Sequence, residues 1–168
     1  MTVAELYRHH APGLFRFALR LTGERTSAED LVAEAFALAV AGGGPAEPPS
    51  ARAFLFGVVR NLALRRRRDA ARRPAASAAQ AEAAMAGPGT GIDPERDAAA
   101  RAELAATLSD LQALPEEARA ALLLRAEGLS HDEIAAVLGT SPGAAKVRVH
   151  RARMVLAVCR AAREGAVP

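Results

Sequence analysis

The sequence of 168 residues contains no tryptophan, only one cysteine and only 4% aromatic residues. Cys159 has no second thiol for an internal disulfide or a metal cluster, which argues against redox and zinc chemistry. No stretch approaches the roughly 18 consecutive apolar residues that a membrane span needs, and residues 1–10 lack the basic start and apolar run of a secretory signal. We therefore expect a protein that stays in the cytoplasm without membrane insertion.

The scarcity of aromatic and β-branched residues also bears on the fold class. Alanine makes up about a quarter of the chain, and alanine is the strongest helix former. Sheets favour β-branched and aromatic residues in period-two alternation, and no sustained alternation is present. The composition predicts an all-α protein.

The basic residues are almost all arginine, with Lys146 as the single lysine. Residues 1–73 carry 12 basic and 7 acidic side chains, and residues 141–168 carry 6 basic and 1 acidic side chain. Acidic residues dominate between these two regions. Two separated basic regions indicate polyanion partners.

Residues 74–94 (PAASAAQAEAAMAGPGTGIDP) have proline at both ends, a GPGTG run and almost no large apolar residues. This composition is typical of a flexible tether. It divides the chain into two helical domains, predicted over residues 1–73 and 95–163. The three glycines of the tether lack the strand and the Lys-Ser or Lys-Thr pair of a nucleotide loop.

Three helices are predicted in the first domain. Helical spacing of apolar residues begins at Leu6, is broken near Pro12 and Gly13, and ends at Thr22-Gly23. A second helix starts near Ser27, whose hydroxyl can cap it, has an acidic first turn and stops at Gly42. Its inward side is formed by Leu31, Val32, Ala35, Phe36 and Ala39, which leaves Glu29, Asp30, Ala33 and Glu34 outside. The third helix runs from about Ser50 to Pro74.

The third helix is apolar in its first half and strongly basic in its second half. Arginines close to aromatic rings and an amide suit single-stranded or melting DNA. The residues concerned are Phe54, Arg60, Asn61, Arg65, Arg66, Arg67 and Arg68. For Phe54 and Phe56 taken individually, burial in the core is the favoured interpretation.

The second domain begins with helices predicted over residues 94–114 and 116–127. Ser130 and Glu133 then form a capping box that starts a short helix, and Gly139 ends it. Ser141-Pro142 begins another helix. Two helices joined by a tight glycine turn, the second one basic, are what a helix-turn-helix requires.

In that motif the apolar contact is assigned to Ile134, Ala135, Leu138, Ala145, Val149 and Ala152. The second helix is surrounded by Lys146, Arg148, His150, Arg151 and Arg153, some of which must point towards phosphates or base edges. A solvated basic helix in an ordinary bundle is the alternative.

These residues together resemble the extracytoplasmic-function sigma factors of bacterial RNA polymerase. The similarity is carried by LYRHHAPGLFRFALRLTG, AEDLVAEAF and AFLFGVVRNLALRRRR in the first domain, and by LPEEARAALLLRAEGLSHDEIAAVLGTSPGAAKVRVHRAR in the second. The resemblance implies a two-domain initiation factor that binds the polymerase core, recognises a promoter at two places and helps to open it. No catalytic residue, cofactor or metal is implied.

The resemblance also assigns roles to residues. A D-x-x-Q-E-x-F pattern that docks on the polymerase core matches Asp30, Leu31, Glu34 and Phe36, with Ala33 in place of glutamine. Leu38 and Val40 stand where arginine and tryptophan are usual. Contact with the minus-ten element falls to Phe54, Arg60, Asn61 and Arg65 to Arg68, with the loop 42–50. Contact with the minus-thirty-five element falls to Ser141, Lys146, Arg148, His150 and Arg151, with Ala144 where threonine is common. An anti-sigma factor is a further candidate partner.

Two rival interpretations remain open. The first is a freestanding helix-turn-helix regulator that does not bind polymerase. The second is an enzyme, built as a metal-binding helical bundle on His9, His10, Glu29, Asp30 and Glu34, although the paired Glu-x-x-His motifs that such bundles use are absent.

Overall fold

The computed structural model describes residues 3–42, 50–72 and 94–165. These residues form seven helices and no strand, so the all-α prediction is confirmed. The helices are α1 (Val3–Thr22), α2 (Arg25–Ala41), α3 (Ser50–Ala71), α4 (Pro94–Ala113), α5 (Glu116–Ala126), α6 (His131–Leu138) and α7 (Pro142–Arg163). The predicted tether lies outside the described residues except for Pro94, as does most of the loop 42–50.

Helix α1 runs through Pro12 and Gly13 without interruption, so the predicted break is wrong. A proline inside a helix removes one backbone hydrogen bond and crowds the preceding turn. Leu14 and Phe17 of the next turns are fully buried, and α1 packs against α2, α3 and α5. Burial of these side chains outweighs the local cost of the proline.

Helix α2 begins at Arg25, two residues before the predicted start. Glu24 occupies the N-cap position, and the Ser27 hydroxyl donates to the Glu24 carboxylate instead of capping the helix. The earlier start also means that the first turn contains no acidic residue, so that expectation is wrong as well. The helix ends at Ala41, with Gly42 as its C-cap, as predicted.

The packing side of α2 agrees with the spacing of its apolar residues. Leu31, Val32, Ala35 and Phe36 are buried, and Ala39 is half-buried. The four residues expected outside are exposed. The helix therefore presents an acidic surface to solvent.

The helix-turn-helix of α6 and α7 is built by the predicted capping residues. The Ser130 hydroxyl accepts the Glu133 amide proton at 3.1 Å, while the Glu133 carboxylate accepts the Ser130 amide proton at 2.7 Å. Gly139 closes the helix in the left-handed conformation at φ 63°, which favours glycine. Ser141 then caps α7 by accepting the Ala144 amide proton at 3.2 Å. All six residues assigned to the contact between the two helices are buried.

The N-terminal helices α1–α3 and the C-terminal helices α4–α7 touch one another. Helix α3 packs against α6, and α1 packs against α5. The buried apolar residues form one continuous cluster that includes Phe17 and Leu55 on one side and Leu124 and Leu129 on the other. The two groups of helices therefore share a core.

Candidate nucleic-acid interface

One side of α7 is basic along most of its length. Lys146, His150, Arg153 and Arg160 follow each other at intervals of four, three and seven residues, which places them in one line along a helix. All four are exposed, whereas Ala145, Val149 and Ala152 face the core. We call these four residues the basic stripe. Arg160 was missed by the sequence reasoning, although its spacing from Lys146 could have revealed it. Its charge is partly neutralised by Glu164, with 2.8 Å between Nε and Oε1.

The other predicted residues of this helix do not share that line. Arg151 is exposed on a neighbouring side, among the exposed apolar residues Val147, Met154 and Val158. Arg148 turns towards α5, where its Nη2 lies 2.8 Å from Oε2 of Glu117. The structure thus brings Lys146 and His150 together and separates them from Arg148.

Helix α3 presents a second line of residues suited to nucleic acid. Phe54, Asn61, Arg65 and Arg68 are spaced by seven, four and three residues and are all exposed. This side of the helix carries an aromatic ring, an amide and two guanidinium groups. Such a surface suits single-stranded DNA, because bases can stack on the ring and the guanidinium groups can neutralise phosphates. We call these four residues the α3 line.

The two phenylalanines of α3 have different environments. Phe56 is only 2% exposed and packs edge-on against Phe17, with ring centroids 5.3 Å apart. Phe54 is 37% exposed. The core interpretation is therefore correct for Phe56 and wrong for Phe54.

Three further arginines of α3 are either paired with a carboxylate or partly buried. Arg66 Nη2 lies 3.0 Å from Oε2 of Glu34, and Arg67 Nη1 lies 3.4 Å from Oε2 of Glu116. Arg60 is half-buried, and its Nε has no hydrogen-bond partner among the described residues. The arginine run is thus split between free and paired side chains.

The acidic surface of α2 is exposed as its assigned role requires. Asp30 and Glu34, one turn apart, point outwards. Leu31 and Phe36 lie in the core, and the Phe36 ring packs on Tyr7 with centroids 4.7 Å apart. These two residues can position the helix but present little surface to a partner.

A buried arginine on α5 was not foreseen. Arg119 is only 2% exposed, and its Nη1 donates to Oε1 of Gln112 at 2.7 Å. Burial, together with the charge of Arg67, lowers the pKa of Arg119. Its sequence context gives no sign of this burial, because it lies beside two glutamates in the predicted first turn.

Across residues 3–42, 50–72 and 94–165, no three histidine, cysteine, aspartate or glutamate side chains are close enough to hold a metal ion. Within the same ranges, no helix is sufficiently long and apolar to cross a bilayer.

Two protein-family models match the chain. Sigma-70 region 2 matches residues 6–73, and Sigma-70 region 4 matches residues 109–156. The first match contains α1, α2 and α3, and the second contains the helix-turn-helix.

Curated relatives cover most of the chain. It is 36% identical over 158 residues to the ECF RNA polymerase sigma factor SigE of Mycolicibacterium smegmatis, a match that covers 90% of this chain and 59% of that one. It is 32% identical to the RNA polymerase sigma factor CarQ of Myxococcus xanthus, covering 88% and 82% respectively. The ECF RNA polymerase sigma factor SigL of Mycobacterium tuberculosis is 37% identical, with the same two coverages.

Solved structures agree with these relatives. CnrH in complex with the cytosolic domain of CnrY superposes with a TM-score of 0.66 at 29% identity, covering 95% of this chain and 88% of that one. The sigma factor RpoE in complex with the anti-sigma factor NepR from Bartonella quintana gives 0.65 at 26% identity, covering 88% and 89%.

The helical fold and the two matched regions define a protein of the sigma-70 class. Within that class, the chain belongs to the ECF RNA polymerase sigma factors. Members of this family are transcription initiation factors and not enzymes. The resemblance seen in the sequence is therefore confirmed, and a freestanding regulator is not favoured.

Proposed function

We propose that this chain binds the core of RNA polymerase, directs it to promoters through two DNA elements and assists their opening. The observation that carries the proposal is the α3 line, which accompanies a basic helix-turn-helix in the same chain. An aromatic, amide and arginine surface suits a melted strand, while the basic helix suits the major groove. The two DNA strands would be separated at one promoter element, and the other element would be recognised as a double helix.

The minus-ten element is assigned to α3. Phe54 and Asn61 would meet unstacked bases, and Arg65 and Arg68 would neutralise phosphates. Arg60, Arg66 and Arg67 are expected to contribute once DNA displaces their present surroundings. Opening needs no covalent step, because stacking lost in the duplex is partly replaced by stacking on protein.

The minus-thirty-five element is assigned to α7. Lys146 and His150 on the basic stripe, together with Arg151, are the candidates for base edges and phosphates. Arg153 extends the stripe and adds a phosphate contact. Ser141 holds the start of the helix by its cap, and its hydroxyl would donate to a phosphate at the start of the helix.

Polymerase binding is assigned to the acidic surface of α2. Asp30 and Glu34 would meet a basic partner surface, while Leu31 and Phe36 support them from the core. Exposed Leu38 and Val40 add apolar area beside these carboxylates. This surface would bind partly by apolar contact.

The domain boundaries, the location in the cell and a further partner are also proposed. The domains would be residues 1–73 and 95–163, joined by residues 74–94. The chain would act in the cytoplasm, with no catalytic step of its own. An anti-sigma factor is a candidate partner, because the superposed sigma factor RpoE was solved in complex with the anti-sigma factor NepR.

Reconstituted transcription tests the proposal. Purified chain and core polymerase, with promoter fragments from the source genome, should give transcripts with defined starts that core polymerase alone does not give. Co-elution of the chain with core polymerase should accompany this activity. If the chain binds DNA but neither co-elutes nor changes the starts, a freestanding regulator replaces the proposal.

A further inference from the structure

A single buried carboxylate joins the two halves of the molecule. Glu127, at the C-cap of α5, has a side chain that is only 4% exposed. Its Oε2 accepts a hydrogen bond from Nη2 of Arg16 at 2.7 Å, and its Oε1 accepts from Nε of Arg16 at 3.2 Å and from Nη1 of Arg20 at 3.3 Å. Both arginines belong to α1.

The backbone of the same residue is also held from the N-terminal side. Arg52, in the first turns of α3, donates through Nη2 to the carbonyl oxygen of Glu127. The Arg52 guanidinium lies over the Phe56 ring, 5.9 Å from its centroid. Three arginines from two helices therefore converge on one residue of α5.

Two glycines make room for this arrangement. A Cβ atom on Gly13 would lie 3.2 Å from Oε2 of Glu127, closer than most carbon atoms come to such a neighbour. Gly128 has φ +87°, and a Cβ there would lie 3.6 Å from Nη2 of Arg52. Gly13 is favoured because the Glu127 carboxylate needs the space, whereas Gly128 is favoured by its left-handed backbone conformation.

The burial of Glu127 is explained by its contacts between the two groups of helices. A buried carboxylate is stable only where charged partners and hydrogen bonds replace its water. Among the described residues, the partners of the Glu127 carboxylate come from α1. If α1 and α5 separated, the carboxylate would return to solvent, whereas Arg16 and Arg20 are already partly exposed.

The joined arrangement conflicts with simultaneous contact at two promoter elements. Helix α3 touches α6 directly. Two elements about two helical turns apart would be separated by roughly 70 Å. The groups of helices must therefore part before the α3 line and the basic stripe can reach both elements.

We propose that Glu127, clamped by Arg16, Arg20 and Arg52, is a latch that keeps the free protein closed. This inference rests on the proposed function, since opening matters only if two elements are bound at once. The closed form lowers the fraction of molecules able to reach both promoter elements, and the apparent affinity for a promoter with both elements is the intrinsic affinity multiplied by that fraction. Weakening the latch should raise that affinity.

Energy transfer between two dyes tests the latch without polymerase or DNA. In a Cys159→Ser background, cysteines at exposed positions Ala37 of α2 and Ala162 of α7 carry the donor and the acceptor. The parent protein should show one high-efficiency population. Glu127→Gln should raise the ratio of open to closed molecules about tenfold, because it weakens charge-assisted hydrogen bonds. Glu103→Gln removes an exposed carboxylate of α4 and is the matched control.

A second variant distinguishes opening of the molecule from loss of folding. Gly13→Leu places a side chain where the Glu127 carboxylate lies, and leucine is a good helix former, so α1 should persist. It should open the molecule while the far-ultraviolet circular dichroism stays helical. The latch is refuted if the parent is already open, or if both variants keep the parent's transfer efficiency.

Unlabelled protein gives the functional readout. With core polymerase present, Glu127→Gln should saturate a promoter that carries both elements at a several-fold lower concentration than the parent. Failure of the proposed function appears differently, as absence of core binding in parent and variant alike. A closed parent that opens in Glu127→Gln but never binds polymerase would preserve the latch and remove the sigma-factor role.

Discussion

Arg148 of the recognition helix α7 pairs with Glu117 of α5, with 2.8 Å between Nη2 and Oε2. Its other terminal nitrogen, Nη1, is buried without a hydrogen-bond partner in the described part of the chain. Both helices lie in the C-terminal group, so opening of the molecule would leave this pair in place. Arg148 therefore differs from Lys146 and His150, which lie on the basic stripe and have no ion pair among the described residues.

This pairing predicts that Arg148 mainly holds α7 in position. Arg148→Ala and Glu117→Ala should each lower the free energy of unfolding by about 0.5–1 kcal/mol, since the pair is partly exposed. Both should weaken binding to an upstream promoter element by a similar small factor. Urea unfolding and fluorescence anisotropy of the holoenzyme measure the two effects. A large loss of binding in Arg148→Ala alone would make Arg148 a direct DNA contact.

Lys146 and Arg151 are expected to behave as DNA contacts. Each alanine variant should weaken binding at the upstream element by about 1–3 kcal/mol if a base edge is lost. Arg101→Ala removes an exposed arginine of α4 and controls for net charge. Unchanged promoter-specific transcription in both Lys146→Ala and Arg151→Ala would rule out the recognition-helix assignment.

Local signals predicted the C-terminal helices well. Ser130, Glu133, Gly139 and Ser141 satisfy backbone groups within a few residues of themselves, so their roles can be derived from the sequence alone. Pro12 is the opposite case. Its tolerance inside α1 depends on burial of Leu14 and Phe17 against other helices, which no local pattern reports.

Burial of charge was the least predictable feature. Arg119 and Glu127 lie in stretches whose spacing suggests solvated helix ends, yet both are almost fully buried. Residues of α1 and α3, more than fifty positions away in the chain, lie beside both side chains, while the hydrogen-bond partner of Arg119, Gln112, belongs to α4. Only the assembled fold shows that the two halves meet there.

The α3 arginines should separate into two classes. Arg65 and Arg68 stand on the α3 line without an ion pair among the described residues, whereas Arg66 and Arg67 pair with Glu34 and Glu116. Arg65→Ala with Arg68→Ala should weaken DNA binding and reduce the slope of log K against log salt by roughly 0.7 per single-strand phosphate contact.

The matched double variant is Arg66→Ala with Arg67→Ala, which removes the same net charge. Its slope should change less, because those guanidinium groups are already partly neutralised. Holoenzyme binding to a minus-ten fragment across a salt series measures both. Equal slopes for the two double variants would contradict the division.

The acidic surface of α2 should be required for polymerase association. Asp30→Lys with Glu34→Lys reverses two exposed charges and should reduce co-elution with core polymerase at least tenfold, as expected when a charged surface loses its complement. Circular dichroism should show intact helices, since neither residue is buried. Asp132→Lys, an exposed reversal on α6, is the control. Undiminished co-elution of the α2 variant would show that polymerase binds another surface of the chain.

His10 should make the stability of the fold depend on pH. Its side chain is buried, its Nε2 has no partner within the described residues, and its ring meets His9 edge-on at 4.9 Å. Burial lowers the pKa of His10, and the charges of His9 and Arg52 add to the effect. Folded His10 therefore stays neutral at pH values where the unfolded chain already binds a proton.

Because the folded pKa lies below the ordinary value of 6.5, stability is complete above pH 6.5 and falls as the pH drops towards the folded pKa. One such group contributes a slope of at most about 1.4 kcal/mol per pH unit. Urea unfolding between pH 7.5 and 5.5 should show a smaller slope for His10→Gln than for the parent. His150→Gln removes an exposed imidazole and should keep the parent's slope. If His10→Gln loses stability over this range as steeply as the parent, protonation elsewhere causes the dependence.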